Sequence, residues 1–138
     1  MSFNKKIAQK KFILKTFKNE LTNFLNFAEK TLPTFTELKA LKNIVDIMLK
    51  FNTGNIIKIW CQYIAVPYND VIVKGDFNYF ENKNYKNDLK DLGEENANYI
   101  LTCYDKIRVE LAKKSVDKKN KAMQYIQKIS NLSIKYFT

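Results

Sequence analysis

Leu14, Phe17, Leu21, Phe24 or Leu25, Ala28 and Leu32 recur at steps of three or four, and Pro33 ends the series. That repeat is one face of an α-helix and predicts a helix from about Phe3 to Thr31. A helix with a long apolar face must bury it against other elements. The rest of the chain supplies partners of the same kind. Leu38, Leu41, Val45, Met48 and Leu49 mark a second helix, and Ile56, Ile57, Trp60, Tyr63 and Ile64 a third from about Asn55 to Ala65. Ala97, Ile100 or Leu101, Tyr104, Ile107 and Leu111 mark a fourth. Ala122, Met123, Ile126, Ile129, Leu132, Ser133 and Tyr136 mark a fifth that reaches the C-terminus. The expected fold is all-α: an irregular bundle of about five helices in a single domain over residues 1–138.

The boundaries carry their own signals. Thr34-Phe35-Thr36-Glu37 has the spacing of a capping box, with Glu37 returning to the amide of Thr34. Asn52-Thr53-Gly54 breaks the second helix from the third, and Pro67 is expected to push Val66 out of helical geometry. Asp91-Leu92-Gly93-Glu94 introduces the fourth helix, Lys113 and Lys114 close it, and Ser115 caps the fifth, with Asp117 in its first turn. Between the third and fourth helices lies an aromatic-rich insertion. The stretch from Trp60 to Tyr85 holds the only Trp together with Tyr63, Tyr68, Phe77, Tyr79, Phe80 and Tyr85. A loop of this length without structure is uncommon in a compact domain, so the aromatics are expected to pin it to the body. Asp70 to Val73 carries the β-branched run Val71-Ile72-Val73, but a lone strand has nothing to pair with, and short helical turns are the better reading. Asp76 would cap the turn beginning at Phe77.

The formal charge is +10, and it is unevenly spread. Residues 1–60 hold eleven Lys against four acids, residues 70–95 four Lys against seven acids, and residues 96–138 nine basic residues against three acids. Two basic arms therefore flank a locally acidic middle, a field that favours anionic partners. Lys5, Lys6, Lys10 and Lys11 in the first helix, and Lys113, Lys114, Lys118, Lys119 and Lys121 around the last junction, are the candidate phosphate contacts. With the termini close they would form one broad basic surface. Arg108 is the only arginine, so bidentate readout of base edges has no basis, and any nucleic-acid binding would be indifferent to sequence. The abundance of Lys, Asn and Ile also fits an AT-rich coding sequence, which accounts for much of the lysine excess without a function.

Most enzyme chemistries lack their residues. With no His in the chain, Ser–His and Cys–His nucleophile systems have no base. Cys61 and Cys103 are too few for a zinc site and form no CxxC pair; they read as small buried hydrophobes, although a disulfide between them is an open alternative. Gly54, Gly75 and Gly93 are too scattered to cradle a phosphate. Asp70, Asp76 and Glu81 fall within twelve residues, but they match no calcium loop and read better as caps and solvated charges. No catalytic residue, cofactor or metal site is expected. There is neither an apolar run long enough to span a membrane nor a recognisable signal peptide, so an intracellular location is expected.

Three places resemble a family of small proteins encoded by nucleocytoplasmic large DNA viruses, the giant viruses. They are Phe24-Leu25 with Leu32-Pro33; Pro67-Tyr68 with Ile72, Asp76 and Tyr79-Phe80; and Ala122, Tyr125, Ile126 and Leu132. Met123 stands where similar proteins tend to place a Trp. The resemblance implies a viral origin, a helical fold and a location in host cytoplasm or virion, and it implies no activity. The leading expectation is a non-enzymatic accessory or virion-associated protein that binds another protein through Trp60, Tyr68, Phe77, Tyr79 and Phe80. The alternative is a sequence-nonspecific nucleic-acid-binding protein using the lysines of the first and last helices.

Overall fold

A computed structural model of the chain describes residues 3–76 and 95–138. Among the described residues five α-helices carry the fold: α1 (Phe3–Thr31), α2 (Leu38–Trp60), α3 (Asn69–Lys74), α4 (Glu95–Ala112) and α5 (Val116–Tyr136). A π-helical turn, Cys61–Ala65, continues α2. No strand occurs among the described residues, and the protein is an all-α bundle. Phe77, Tyr79, Phe80, Tyr85 and the expected start of the fourth helix at Asp91–Glu94 lie outside the described residues.

The predicted apolar seams are the buried ones. Phe17, Leu21, Phe24, Leu25 and Ala28 of α1 face a core shared with Val45, Leu49, Ile56, Ile57 and Trp60 of α2. Ile100, Leu101, Tyr104, Ile107 and Leu111 of α4 and Ala122, Met123, Ile126 and Ile129 of α5 complete it. Each large side chain so buried contributes about 1.5–3 kcal/mol of transfer free energy.

Pairwise contacts give the helix directions. Lys10 lies 5.2 Å over the Tyr136 ring, Glu20 pairs with Lys128 at 3.1 Å, and Phe27 meets Tyr125 at 5.5 Å. Residue numbers rise along α1 as they fall along α5, so the two run antiparallel. The pairs Glu29–Lys42 and Phe17–Trp60 set α2 antiparallel to α1 in the same way. α4 packs on α2 and α5 and closes the four long helices around one core.

Helix boundaries follow the expected residues, with two corrections. The capping box does not form. Glu37 is itself helical, its side chain makes no cap bond, and its carboxylate takes Lys106 of α4 at 2.9 Å. Backbone carbonyls serve the entering amides instead: Phe35 N–H donates to Leu32 at 3.0 Å, and Leu38 N–H to Phe35 at 3.1 Å. With those amides satisfied, the Glu37 side chain is free to reach across to α4. The second correction is Val66, which keeps helical angles (φ −70°, ψ −51°) directly before Pro67. The π turn is the reason. Val66 N–H reaches back five residues to the Cys61 carbonyl at 3.0 Å, and beyond Pro67, which has no N–H to lose, Tyr68 N–H still reaches the Ile64 carbonyl at 3.2 Å.

The expected break at Asn52-Thr53-Gly54 is a one-residue interruption inside a continuous α2, because only Asn52 leaves helical geometry (φ −155°, ψ 66°). The Asn52 side-chain oxygen accepts from Asn55 N–H at 3.1 Å, so it caps the second half of the helix. Thr53 Oγ1 donates to the Leu49 carbonyl and bridges the kink. Ser115 caps α5 as expected, its hydroxyl accepting from Lys118 N–H.

Residues 70–73 are helical, within α3. A six-residue helix cannot persist alone, so its ends need external support. Gly75, in the left-handed conformation (φ 66°), closes it with Gly75 N–H on the Ile72 carbonyl and Asp76 N–H on the Val71 carbonyl, a Schellman arrangement. Gln127 of α5 donates its side-chain amide to the same Ile72 carbonyl at 2.9 Å. A Cβ at Gly75 would stand 3.3 Å from Gln127 Nε2. Gly75→Ala therefore combines left-handed strain with crowding of that bond, and it is expected to cost about 1–2 kcal/mol in urea unfolding. Gly54→Ala, at helical φ with only an ordinary contact to Asn52 Oδ1 at 3.9 Å, is the control and should be neutral or stabilising.

Candidate functional site

Of the five aromatics expected to meet a partner, Trp60 is 1% exposed and belongs to the core. Phe17 and Tyr104 meet its ring edge-on at 6.5 and 5.2 Å, and its Nε1–H donates to Ser130 Oγ at 2.9 Å. An indole so enclosed, with its one donor satisfied inside, offers nothing to a partner. Tyr68 is half-buried against the same core. Phe77, Tyr79 and Phe80 lie outside the described residues.

The basic clusters do not merge. Lys5, Lys6, Lys10 and Lys11 are exposed at the start of α1, which the antiparallel packing sets beside the end of α5. The second cluster sits at the opposite end of α5, about 24 Å away by the helical rise between positions 119 and 135. Within it Lys119 is buried, Lys114 is half-buried, and Lys113 pairs with Glu110 at 3.2 Å, leaving Lys118 and Lys121 exposed. The single broad basic surface expected of close termini is thus replaced by two clusters, since the chain ends meet but the α4–α5 junction lies a full helix away. Arg108 is 4% exposed and clasps Asp105 at 2.8 Å within α4, so it reads no base edge.

Two surfaces are visible only in three dimensions. The first is a lysine row: Lys121, Lys128 and Lys135 stand seven residues apart on α5 and so share one face beside α1. Lys128 is tied to Glu20, whereas Lys135 joins Lys6 and Lys10 around a groove of about 460 Å³ floored by Ile13. The seven-residue spacing was readable in the sequence. The second surface is a stripe on α2, where Ala40, Ile44, Ile47 and Phe51 point outward. Ile44, Ile47 and Phe51 are 42, 56 and 79% exposed. The stripe lies on the side of the helix opposite Leu38, Val45 and Leu49, so the first half of α2 is apolar on two faces. Its signal was an excess of apolar residues over what one stripe requires.

Little else offers chemistry. A groove of about 480 Å³ between α3 and α5 is lined by the apolar Ile72, Val73 and Ile134 together with carboxamides, among them Asn69, Gln124 and Asn131. An interior void beside Trp60 measures about 20 Å³ and is wholly apolar in lining, too small for a ligand. Among the described residues no group of three His, Cys, Asp or Glu could hold a metal, and no helix is long and apolar enough to cross a membrane. Cys61 and Cys103 are free and buried, which closes the disulfide alternative in favour of two thiols. Burial pushes the Cys103 thiol up to about 12, against the weaker opposing pull of Lys106. The Tyr99 hydroxyl is also raised, first by burial and then by Cys103, with Lys106 again opposing.

The chain matches no protein-family model, no curated protein and no solved structure with which it was compared.

The raised Cys103 value has a sign. Below its ordinary value of 9.0 the thiol is protonated in folded and unfolded chains alike, and its burial contributes in full. As pH rises from there toward about 12 the unfolded chain ionises first, and that contribution is lost. Urea midpoints measured from pH 8 to 11 should fall more steeply for the wild type than for Cys103→Ala. Parallel curves would show that the thiol is not held protonated by the fold.

Proposed function

We propose that this protein is a non-enzymatic binding module that works by protein–protein contact through the outer face of α2. One observation carries the reading: Ile44, Ile47 and Phe51 form a continuous apolar stripe in solvent on a helix that is already buried along its other side. Exposed apolar surface arranged at helical spacing is the signature of helix-to-groove or helix-to-helix recognition. The absence of His from the sequence supports a non-enzymatic role. The resemblance to giant-virus proteins supports an accessory role in host cytoplasm or virion. The docking residues in this reading are Ile44, Ile47 and Phe51, with Trp60 acting as their scaffold.

A photoreactive residue placed at position 47 or 51 tests it, with position 109 on α4 as the control because Val109 is exposed and lies on another helix. Defined crosslinked species are expected from 47 and 51 alone. Equal yields from 109, or none from any position, would remove the α2 face from consideration.

A second reading has its own observation, the lysine row beside the α1–α5 groove. Four lysines, Lys6, Lys10, Lys121 and Lys135, would meet phosphates without reading bases. With four phosphate contacts, affinity for a labelled single strand should fall by about 10² between ~50 and ~200 mM salt. The triple variant Lys6→Glu, Lys10→Glu, Lys135→Glu should abolish that binding, and unchanged affinity would end this reading.

A further inference from the structure

The α2 stripe has a symmetry that narrows its partner. Ala40, Ile44, Ile47 and Phe51 are separated by four, three and four residues, a spacing that reads the same in both directions. We infer that the stripe packs against the same stripe of a second copy of this chain, antiparallel about a two-fold axis, with Phe51 of each copy seated over the partner's Ala40. This rests on the reading of α2 as a docking face.

The geometry follows from the spacing alone. An antiparallel two-fold between positions 45 and 46 sets Ile44 against the partner's Ile47, and the largest side chain of the stripe against the smallest. Both contacts occur twice, as an isologous interface requires. A parallel pairing would instead stack Phe51 on the partner's Phe51 and leave a gap between the two small residues, which close packing does not tolerate. Charge points the same way. Lys50 and Asn43 share one flank of the stripe; the antiparallel arrangement sets that flank against itself and brings Lys50 beside the partner's Asn43, whereas a parallel one would set Lys50 against the apolar flank of Leu41 and Met48. Half-buried Leu41 and Met48 on the other flank extend the apolar contact.

The stripe covers twelve residues, about 17 Å of helix, and ends at the Asn52 kink. A contact of this length belongs among small interfaces, below about 1,200 Å², so the dimer is reversible and not obligate. Each copy carries a formal charge of +10, so the two repel at a distance. Salt, by screening that repulsion, strengthens the dimer, the opposite of its effect on phosphate binding.

Sedimentation equilibrium of the full chain from about 1 to about 500 µM, at ~50 and ~500 mM salt, tests the pairing. The expected result is a monomer–dimer equilibrium that tightens with salt. Phe51→Ala, which leaves a hole, and Ala40→Phe, which collides with Phe51 of the partner copy, should each weaken it by tenfold or more. The double variant Ala40→Phe/Phe51→Ala exchanges the two contacting sizes and should recover most of the wild-type affinity. Both positions are exposed, and far-UV circular dichroism confirms that each variant is folded. A chain that stays monomeric throughout, or a double variant no better than the weaker single, overturns the pairing. A monomeric wild type whose photoreactive residue at 51 still crosslinks to another protein would overturn the self-pairing alone. A dimer indifferent to positions 40 and 51 would overturn the self-pairing, and the α2 docking face falls with it only if positions 47 and 51 also give no specific crosslinks.

Discussion

The fold depends on one indole. Trp60 ends α2 and lies edge-on to Phe17 of α1 and Tyr104 of α4, and its N–H donates to Ser130 of α5. Four long helices thus meet at a single side chain. Aromatic contacts of this kind are worth about 0.5–1.5 kcal/mol each beyond the area they bury. The hydrogen bond adds direction: an unpaired indole N–H inside the core would cost about 1–3 kcal/mol, so Ser130, and with it the rotation of α5, is held in place. The Ser130 carbonyl in turn accepts from Ser133 Oγ at 2.7 Å, so the polar groups in this part of α5 satisfy one another. The π turn begins at the residue after Trp60 and turns Cys61, Ile64 and Ala65 toward the same interior.

The consequence for function is a division of labour within α2. Beyond Asn52 its apolar residues Ile56, Ile57, Ile59 and Trp60 are all buried, whereas before Asn52 it divides them between core and solvent. The kink separates a half that holds the bundle together from a half that presents a surface. A rigid attachment on one side is what gives an exposed stripe on the other a fixed shape. The aromatic that looked most like a binding residue in the sequence therefore serves as an anchor for residues that looked like ordinary core.

This inversion shows how far the sequence could be read. Helix seams were legible because a buried stripe must repeat at 3.6 residues whatever its neighbours are, and Phe17, Tyr104 and Ile126 fall where that period puts them. Ser115 was legible as a cap because its partner, Lys118 N–H, is three residues away. Interactions with partners distant in sequence were not. Glu37 fits a capping box locally, but Lys106, 69 residues on, holds its carboxylate. Periodicity counts apolar residues without saying which of two faces meets the core, so Ile44 and Ile47 could not be told from Val45 and Leu49. Composition likewise totals the lysines without saying that Lys119 is buried or that the two clusters occupy opposite ends of a helix.

The closure of α3 has a dynamic meaning. Among the described residues, the six residues of this helix are held to the bundle by buried Ile72, by half-buried Val71 and by the carboxamide of Gln127. Ile72 belongs to the same apolar core as Trp60, whereas the Gln127 bond lies on the backbone at the end of the short helix. A helix this short, attached through so few side chains among the described residues, is expected to open at less than the global unfolding free energy. Release of the Gln127 amide would leave the Ile72 carbonyl with Gly75 N–H alone and widen the groove between α3 and α5. The protein would then exchange between a bundle with α3 docked and one with that flank open, while the four-helix core and the α2 stripe remain unchanged.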